Sequence, residues 1–383
     1  MEKIYYVKPK EIKNEVSLMD ILLGKTYDTD DIPNTTTVRY TSDMPGYYNM
    51  AQINRFIEEL REFNLYADKF RSMDRWNELY THFKIPKKSG GLRPIDAPTE
   101  EFKSALTMLR QIIERNIGNY FHHPAAFAYV RERCPKKLVE VHQRLKSRWF
   151  AHFDFSNFFG STTLDFVLRM CAKIYPLNIV MKMSAGKEEL SKALELCFLN
   201  GGLPQGTPMS PFITNVMMIP IDHELLRFCG KVSEPHLIYT RYADDLVISS
   251  RYDFDYHSVE DSINAVLRSF DAPFAIKKEK THYGNIAGRN WILGVMLNKD
   301  YKITVGHEKK KRFKAMLVNY ILSCKKGVMW DLDDVYHFQG CIAHYRNIEP
   351  EYFDYIIEQY NKKFGVNVKQ MIRAQIKGEQ VVA

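Results

Sequence analysis

Two adjacent carboxylates, Asp244 and Asp245, lie in a short segment that is rich in β-branched and aromatic residues. The flanking residues predict two strands, 238–242 and 246–250, joined by a tight turn that carries both carboxylates. Like charges at the tip of a buried hairpin repel each other and resist desolvation unless a cation lies there. Their oxygen atoms suit a hard divalent cation. In an exposed turn the same pair would be ordinary turn chemistry, so the metal interpretation needs support from elsewhere in the chain.

A third carboxylate, Asp154, ends an apolar run over residues 149–154. The run predicts a strand, and aromatic residues follow it at Phe155, Phe158 and Phe159. A role for Asp154 as a helix cap or surface residue is disfavoured, because the apolar run ends on it. Asp154 is therefore a candidate to share a cation with the two carboxylates of the turn.

A loop rich in glycine and proline, residues 200–211, precedes an apolar segment that is predicted to be a helix. Thr207 or Ser210 is available to cap this helix. The chain thus presents, in order, a strand that ends in a carboxylate, a glycine-rich loop that opens a helix, and a hairpin with two carboxylates. This order is typical of the palm of a nucleic-acid polymerase.

Three motifs, FDFSNFF, GLPQGTPMSP and YADD, resemble those of the reverse transcriptase family. The resemblance runs from about Phe83 to about Asn298, which is more than half of the chain. It implies an α+β fold of the right-hand polymerase type, with fingers, a palm of antiparallel sheet plus helices, and a helical thumb. It also implies an RNA-directed DNA polymerase.

The resemblance implies attack of a primer 3′-hydroxyl on the α-phosphate of a nucleotide, with two metal ions between the reacting oxygens. Asp154, Asp244 and Asp245, together with the Phe155 carbonyl, are the implied metal ligands. The implied cofactor is a pair of Mg²⁺ ions, for which Mn²⁺ can substitute. Lys280 is the implied proton donor to the pyrophosphate leaving group, although two neighbouring lysines compete for that role.

Five residues are implied to bind the incoming nucleotide. Lys87 supplies a point charge for the triphosphate and Arg93 a bidentate fork. Gln205 lies over the base and sugar, and Gly206 lets the backbone approach closely. Phe159 takes the position of the family's steric gate, where a ring leaves no room for a ribose 2′-hydroxyl. DNA synthesis is therefore predicted, and plain core packing is the alternative for one of the two neighbouring phenylalanines.

The implied partners are an RNA template, expected to be a structured non-coding RNA, the DNA product or RNA–DNA hybrid, and dNTPs. A homo-oligomer or an associated effector protein stays open. The net charge is +8, and basic residues cluster among aromatic ones, as expected of a surface that follows a phosphate backbone. The clusters are Lys84–Lys88, Lys136–Lys137, Lys277–Lys280 and Lys309–Lys314.

The six cysteines lie far apart and form no Cys-x-x-Cys pair, so the sequence shows no zinc or redox motif. It shows no signal peptide and no apolar stretch long enough to span a membrane. We expect a cytoplasmic protein with reduced thiols and no membrane partner.

Patterning divides the chain into four predicted parts. They are an N-terminal extension (1–75), fingers (76–147 and 169–203), a palm with the catalytic centre (148–168 and 204–300) and a thumb (301–383). Helical spacing is found in 50–63, 68–83, 99–119, 165–199 (with a loop near 175–177), 258–270 and after 308. Strand patterns are found in 274–281 and in hairpins over 84–95 and 291–305.

The chain length favours bacterial retron and defence-associated reverse transcriptases over viral enzymes with an RNase H module and over intron maturases with an endonuclease tail. Two departures argue against a retron proper. Leu138-Val-Glu-Val-His142 keeps only the histidine of the retron Asn-Ala-x-x-His pattern, and Ile292-Leu-Gly294 replaces Val-Thr-Gly. The favoured expectation is an antiphage enzyme that copies its own non-coding RNA. A retron that makes RNA-linked DNA is second and a diversity-generating element third.

Two other classes stay open. One is a catalytically silent module that only binds RNA, although decayed palms usually lose a carboxylate and all three are kept here. The other is untemplated or protein-primed DNA synthesis, for which the 23 tyrosines offer many primers that the sequence does not rank.

Overall fold

The computed structural model describes residues 3–5, 49–71, 76–86, 90–117, 122–231, 236–288 and 291–379. The chain divides into two compact units. The first contains residues 1–134 and 148–283, and the second contains residues 135–147 and 284–383. Every described residue of the predicted catalytic centre lies in the first unit.

The helices and strands are numbered in chain order. The helices are α1 (Met50–Arg71), α2 (Glu100–Ile117), α3 (Pro135–Arg144), α4 (Phe158–Ser161), α5 (Leu164–Cys171), α6 (Leu177–Lys182), α7 (Ser184–Glu195), α8 (Met209–Met217), α9 (Ile219–Lys231), α10 (Tyr256–Ser269), α11 (His307–Lys325), α12 (Leu332–Ile348), α13 (Pro350–Phe364) and α14 (Val368–Lys377). The strands are β1 (Tyr80–Pro86), β2 (Leu92–Pro98), β3 (Trp149–Asp154), β4 (Ile238–Tyr242), β5 (Asp245–Ser250), β6 (His282–Asn285), β7 (Trp291–Ile292), β8 (Val295–Leu297) and β9 (Ile303–Thr304).

The first unit is built around a four-stranded sheet in the order β4–β5–β3–β6. Both β3 and β4 pair with β5 in the antiparallel sense. Almost every residue of β4 and β5 is buried, so both faces of these strands are covered. This explains why Leu246, Val247 and Ile248 of β5 form a continuous apolar run instead of an alternating one.

Helix α2 shows how the helices of the first unit pack against their surroundings. Its apolar residues recur at helical spacing, and Phe102, Leu106, Leu109 and Ile113 are buried. Acidic residues occupy its first turn and Arg115 its last, which suits the helix dipole. The predicted helix over 99–119 is thereby confirmed for the described residues.

The predicted helix over 68–83 is wrong at both ends. Helix α1 continues unbroken to Arg71, and residues 80–83 belong to strand β1, which pairs with β2 from Tyr80 opposite Pro98 to Pro86 opposite Leu92. Tyr80, Thr81 and Phe83 are strand-forming residues, and cross-strand pairing overrides the weak helical spacing. The hairpin predicted around residues 84–95 is confirmed, although its tip lies outside the described residues.

The predicted strand over 274–281 is also wrong. This segment makes one bridge, between Ile276 and Phe155, and then forms a 3₁₀ turn over Lys278–Lys280 before strand β6. Phe274 is buried against the rings of Phe155 and Phe166. The apolar spacing of the segment therefore reflects packing into an aromatic core.

The second unit contains α3, helices α11 to α14 and the small sheet β7–β8–β9. Strands β8 and β9 form the predicted hairpin, but residues 291–297 are not one strand. They fold back at Leu293 and Gly294, which have φ values of 52° and 80°. The prediction of a helical region after residue 308 is confirmed, since every element described there is a helix, although loops at 326–331 and 365–367 separate some of them.

Among the described residues, no helix is both long and apolar enough to cross a membrane. The six cysteines all belong to the described part of the chain and are free thiols. Burial raises the pKa of Cys171 and Cys229 to about 12, so these two behave as small core residues.

Candidate active site

Three carboxylates lie near one another where β3 ends and β5 begins. Asp154 is the last residue of β3, is only 6% exposed, and lies directly opposite Asp245, the first residue of β5. Residues that face each other across an antiparallel pair project from the same face of the sheet. Asp244 lies in the tight turn between β4 and β5, and its carbonyl accepts a hydrogen bond from the Phe155 N–H (3.1 Å). Sheet register therefore unites two segments that are distant in sequence.

The pKa values of the two turn carboxylates are raised by burial and by the neighbouring negative charges. Burial, and then the charges of Asp244 and Asp154, raise the pKa of Asp245 to about 7. The pKa of Asp244 is also raised, mainly by burial, with a further contribution from Asp154. Clustered oxygen ligands with raised pKa values favour a cation, and their chemistry fits a hard divalent ion.

A lysine already contacts this cluster. The Lys280 ammonium donates to both Asp154 oxygens, at 2.9 and 2.6 Å, and this contact raises the pKa of Lys280. Within the described ranges, no three His, Cys, Asp or Glu side chains converge closely enough to enclose a metal ion. The carboxylate oxygens that could bind a metal lie near one another but do not enclose an ion in this arrangement, and Asp154 would have to share its oxygens between Lys280 and an ion.

Of the two predicted triphosphate ligands, the structure describes one. Arg93 is exposed on β2, and its charge opposes the rise in the pKa of Asp244, so it lies within electrostatic range of the carboxylates. Lys87 lies outside the described residues. The roles of both residues stay predictions.

The loop before α8 is tied to strand β2. The backbone N–H of Asp96 donates to the Gln205 carbonyl (2.7 Å), and Gly206 has a φ of 126°. A Cβ on Gly206 would lie 2.9 Å from the Asp96 carbonyl oxygen. The close approach that requires glycine here is therefore to the chain's own backbone. The N-cap position of α8 is Pro208, and the preceding Thr207 accepts from the Ser210 N–H (3.1 Å), so Thr207 satisfies a donor of the first turn as a predicted cap would.

The two neighbouring phenylalanines separate into different environments. Phe158 is a core residue, only 3% exposed, whereas Phe159 is half-buried at the edge of the core. The Phe159 carbonyl accepts from the Leu203 N–H (3.0 Å), and a Cβ on Gly202 would overlap the Gly160 carbonyl. These contacts hold helix α4, which contains Phe159, against the glycine-rich loop. One phenylalanine is thus core, as predicted, and the steric-gate role of Phe159 stays a prediction.

Sequence reasoning missed two features of the site. Arg241, on β4, and Asp222, on α9, are fully buried and form an ion pair directly behind the turn that carries Asp244. The signal was present, since arginine is rare inside a buried strand. Tyr129 is half exposed, and after burial the Asp244 charge is the next cause of its raised pKa.

The antiparallel sheet with carboxylates at its strand ends defines a polymerase palm. The family model "Reverse transcriptase (RNA-dependent DNA polymerase)" matches residues 85–316, and the chain belongs to this family. It is an RNA-directed DNA polymerase with the right-hand fold.

Several relatives indicate which type of reverse transcriptase the chain is. It is 28% identical to the retron Ec83 reverse transcriptase of Escherichia coli over 308 residues, which cover 78% of this chain and 91% of that one. Identity to the retron Ec73 reverse transcriptase of the same species is 26%, covering 74% and 87% of the two chains. The chain is therefore a bacterial retron-type reverse transcriptase. The two departures from retron motifs do not remove it from that type.

A solved structure of telomerase from Candida albicans, in complex with a fragment of telomeric RNA, is also similar. Its TM-score is 0.44 at 12% identity, with 78% of this chain and 59% of that chain covered. The chain thus spans less than two thirds of that telomerase.

Proposed function

We propose that Asp154, Asp244 and Asp245, with the Phe155 carbonyl, hold two Mg²⁺ ions during DNA synthesis on an RNA template. The observation that carries this proposal is the register that sets Asp154 opposite Asp245, with Asp244 in the adjoining turn. Bound Mg²⁺, for which Mn²⁺ can substitute, would stabilise charge on the attacking and leaving oxygens. The raised pKa values of the two turn carboxylates support this proposal, because a cation would offset the charge that burial and crowding penalise.

The other residues act around that centre. Lys280 holds a proton beside Asp154 and would deliver it to the pyrophosphate leaving group. Arg93, with Lys87, would attract the triphosphate, and Gln205 with Gly206 would lie along the base and sugar. The half-buried ring of Phe159 would exclude a 2′-hydroxyl. The position of Arg93 within range of Asp244 supports the triphosphate role.

We also propose a particular RNA partner and a biological role. The template is a dedicated structured non-coding RNA, copied in the cytoplasm for antiphage defence. The predicted fingers, palm and thumb are kept as proposed domains, with the thumb contacting the RNA, but residues 135–147 and 284–300 group with the thumb in the second unit. The similarity to retron reverse transcriptases supports a dedicated RNA. The defence role rests on the sequence resemblance to defence-associated reverse transcriptases.

The nucleic acid that co-purifies with the protein tests this proposal. We expect one discrete RNA, joined or paired to DNA complementary to part of it. The Asp154→Asn variant should carry the same RNA without the DNA and should fail to reduce phage plaque counts. The matched control is Asp261→Asn, an exposed residue of α10, which should behave as wild type. A mixture of unrelated cellular RNAs would contradict the dedicated template, and phage protection by Asp154→Asn would contradict a defence role that needs synthesis.

A further inference from the structure

A fully buried ion pair lies behind the turn that carries Asp244. Arg241 of β4 and Asp222 of α9 are both 0% exposed. The Arg241 Nε and Nη2 atoms donate to the two Asp222 carboxylate oxygens at 2.8 and 2.7 Å. Asp222 also accepts from the Tyr239 hydroxyl at 2.7 Å. Desolvating two charges is expensive, and apolar residues of similar volume are often as stable, so stability alone explains this pair poorly.

The remaining guanidinium nitrogen points to the turn. Nη1 of Arg241 donates to the Ala243 carbonyl (3.1 Å) and to the Asn215 side-chain oxygen (3.3 Å). The Ala243 carbonyl belongs to the peptide group that joins Ala243 to Asp244. Ala243 has a φ of 58°, in the left-handed region that residues other than glycine seldom adopt. Arg241 therefore fixes the peptide plane from which Asp244 extends, in a conformation that needs such support.

Both peptide groups that flank Asp244 are thereby held. Arg241 holds the carbonyl before it, and the Phe155 N–H holds the carbonyl of Asp244 itself at 3.1 Å. The second contact comes from the residue that follows Asp154. The backbone of Asp244 is thus held on one side by the residue that follows β3 and on the other side by the buried ion pair.

We propose that Arg241 is a positioning residue for the catalytic centre. With Asp222 fixing its orientation, its guanidinium sets the direction of the Asp244 carboxylate towards Asp154, and so sets the affinity of the site for divalent cations. This inference rests on the proposed role of Asp244 as a metal ligand. Residues that orient metal ligands from behind typically change metal affinity or activity by about 10- to 100-fold when replaced.

Two variants separate positioning from mere support of the fold. Arg241→Lys keeps a positive charge beside Asp222 but lacks the forked donors needed to hold Asp222 and the Ala243 carbonyl together. Tyr239→Phe is the matched control. It removes one buried hydrogen bond from the same Asp222 carboxylate and leaves the contact to the turn in place.

The measurement is Mn²⁺ affinity of the full chain, by electron paramagnetic resonance without nucleotide, beside kcat and KM for dNTPs in Mg²⁺. Arg241→Lys should weaken Mn²⁺ binding by about 10- to 100-fold and lower kcat, with KM for dNTPs changed about twofold at most. Tyr239→Phe should lower the melting temperature yet keep wild-type Mn²⁺ affinity. Equal Mn²⁺ affinities for wild type, Arg241→Lys and Tyr239→Phe would overturn the proposal.

A third variant decides the matter if Arg241→Lys does not fold. Replacing the pair by apolar residues, as Asp222→Leu with Arg241→Met and Tyr239→Phe, removes the buried charges and the contact to Ala243 together. It should fold and show the same weakened Mn²⁺ binding, and wild-type Mn²⁺ affinity in this variant would overturn the proposal. Failure of the metal-centre function itself would appear separately, as full DNA synthesis by Asp244→Asn.

Discussion

Asp154 and Asp245 lie directly opposite each other at the adjoining ends of the antiparallel strands β3 and β5. Side chains in this relationship have Cβ atoms about 4.5–5.5 Å apart, and like charges there destabilise the pair. The cost appears in Asp245, whose pKa rises to about 7 through burial and the charges of Asp244 and Asp154. The sheet thus places like charges next to each other, and a cation bound there would reduce their repulsion.

This relationship predicts the pH dependence of stability in the metal-free protein. Asp245 holds its proton up to about pH 7 when folded but only to about pH 4 when unfolded. Between these values Asp245 binds more protons in the folded state, so its contribution to stability falls as pH rises. In EDTA, Asp245→Asn should therefore melt higher than wild type at pH 8 and should lose this advantage near pH 4. Melting curves at both pH values check this, and an equal difference at pH 4 and pH 8 would contradict it.

Phe159 is predicted to select the sugar. Phe159→Ala should reduce discrimination against ribonucleotides by about 10- to 200-fold, because removing the ring opens space beside the ribose C2′. Incorporation of dNTPs should survive in part. Phe158→Leu is the control, since Phe158 is a buried core residue and its replacement should lower stability without changing the sugar preference. An unchanged dNTP to rNTP ratio in Phe159→Ala would show that the gate lies elsewhere.

Alanine substitutions at Gly202 and Gly201 should separate the effect of a steric clash from the effect of backbone strain. A Cβ at Gly202 would overlap the Gly160 carbonyl, so Gly202→Ala should displace the helix that carries Phe159 and cost about 1–3 kcal/mol. Gly201 has a φ of 82° and open space around it. Gly201→Ala should cost about 1 kcal/mol through backbone strain. Urea unfolding and dNTP incorporation report both effects, and normal incorporation by Gly202→Ala would mean that this packing does not position Phe159.

Local features of the catalytic centre could be predicted from the sequence. The strand ending at Asp154, the hairpin around Asp244 and the capped helix after the glycine-rich loop depend on neighbouring residues, and all three were predicted. Residues 80–83 were mispredicted because their strand identity depends on pairing with β2, a contact that helical spacing does not contain.

The contacts that complete the centre are non-local. The family resemblance implies that Asp154, Asp245 and Lys280 share one site, but no local pattern in the sequence gives the register of Asp154 with Asp245 or sets the Lys280 ammonium on Asp154. Nothing in the sequence places Asp222 beside Arg241. Each contact joins segments that only the folded sheet and helices bring together. Of the residues in these contacts, only Arg241 could have been noticed in the sequence, as a charged residue inside a predicted buried strand.

The basic start of α11 predicts a salt-dependent RNA contact, but its charges are not equivalent. Lys309 donates to the Gly294 carbonyl, and Lys310 pairs with Glu349 at 2.6 Å. Lys311 and Arg312 are exposed. Replacing these two by alanine should weaken RNA binding and flatten its slope against log salt by about 1.5 to 2 units.

The control for that prediction removes the same charge from the other end of the helix. Lys325→Ala with Lys326→Ala leaves the helix start intact, and both residues are exposed. Affinity measured against salt concentration should give a shallower line for the first pair than for the second. Lines parallel to wild type for Lys311→Ala with Arg312→Ala would mean that the cluster is only a solvated surface.

The most direct test of the carboxylate centre is metal-dependent primer extension on an RNA template by Asp244→Asn and by Asp261→Asn. Each replaces one carboxylate by its neutral isostere, but only Asp244 lies in the centre, whereas Asp261 is exposed on α10. Removing a ligand that contributes several kcal/mol to the transition state should reduce dNTP incorporation by about 1,000-fold or more. The fold and RNA affinity of Asp244→Asn should be kept, and Asp261→Asn should match wild type. Wild-type incorporation by Asp244→Asn across a Mg²⁺ titration would contradict the assignment of the catalytic centre.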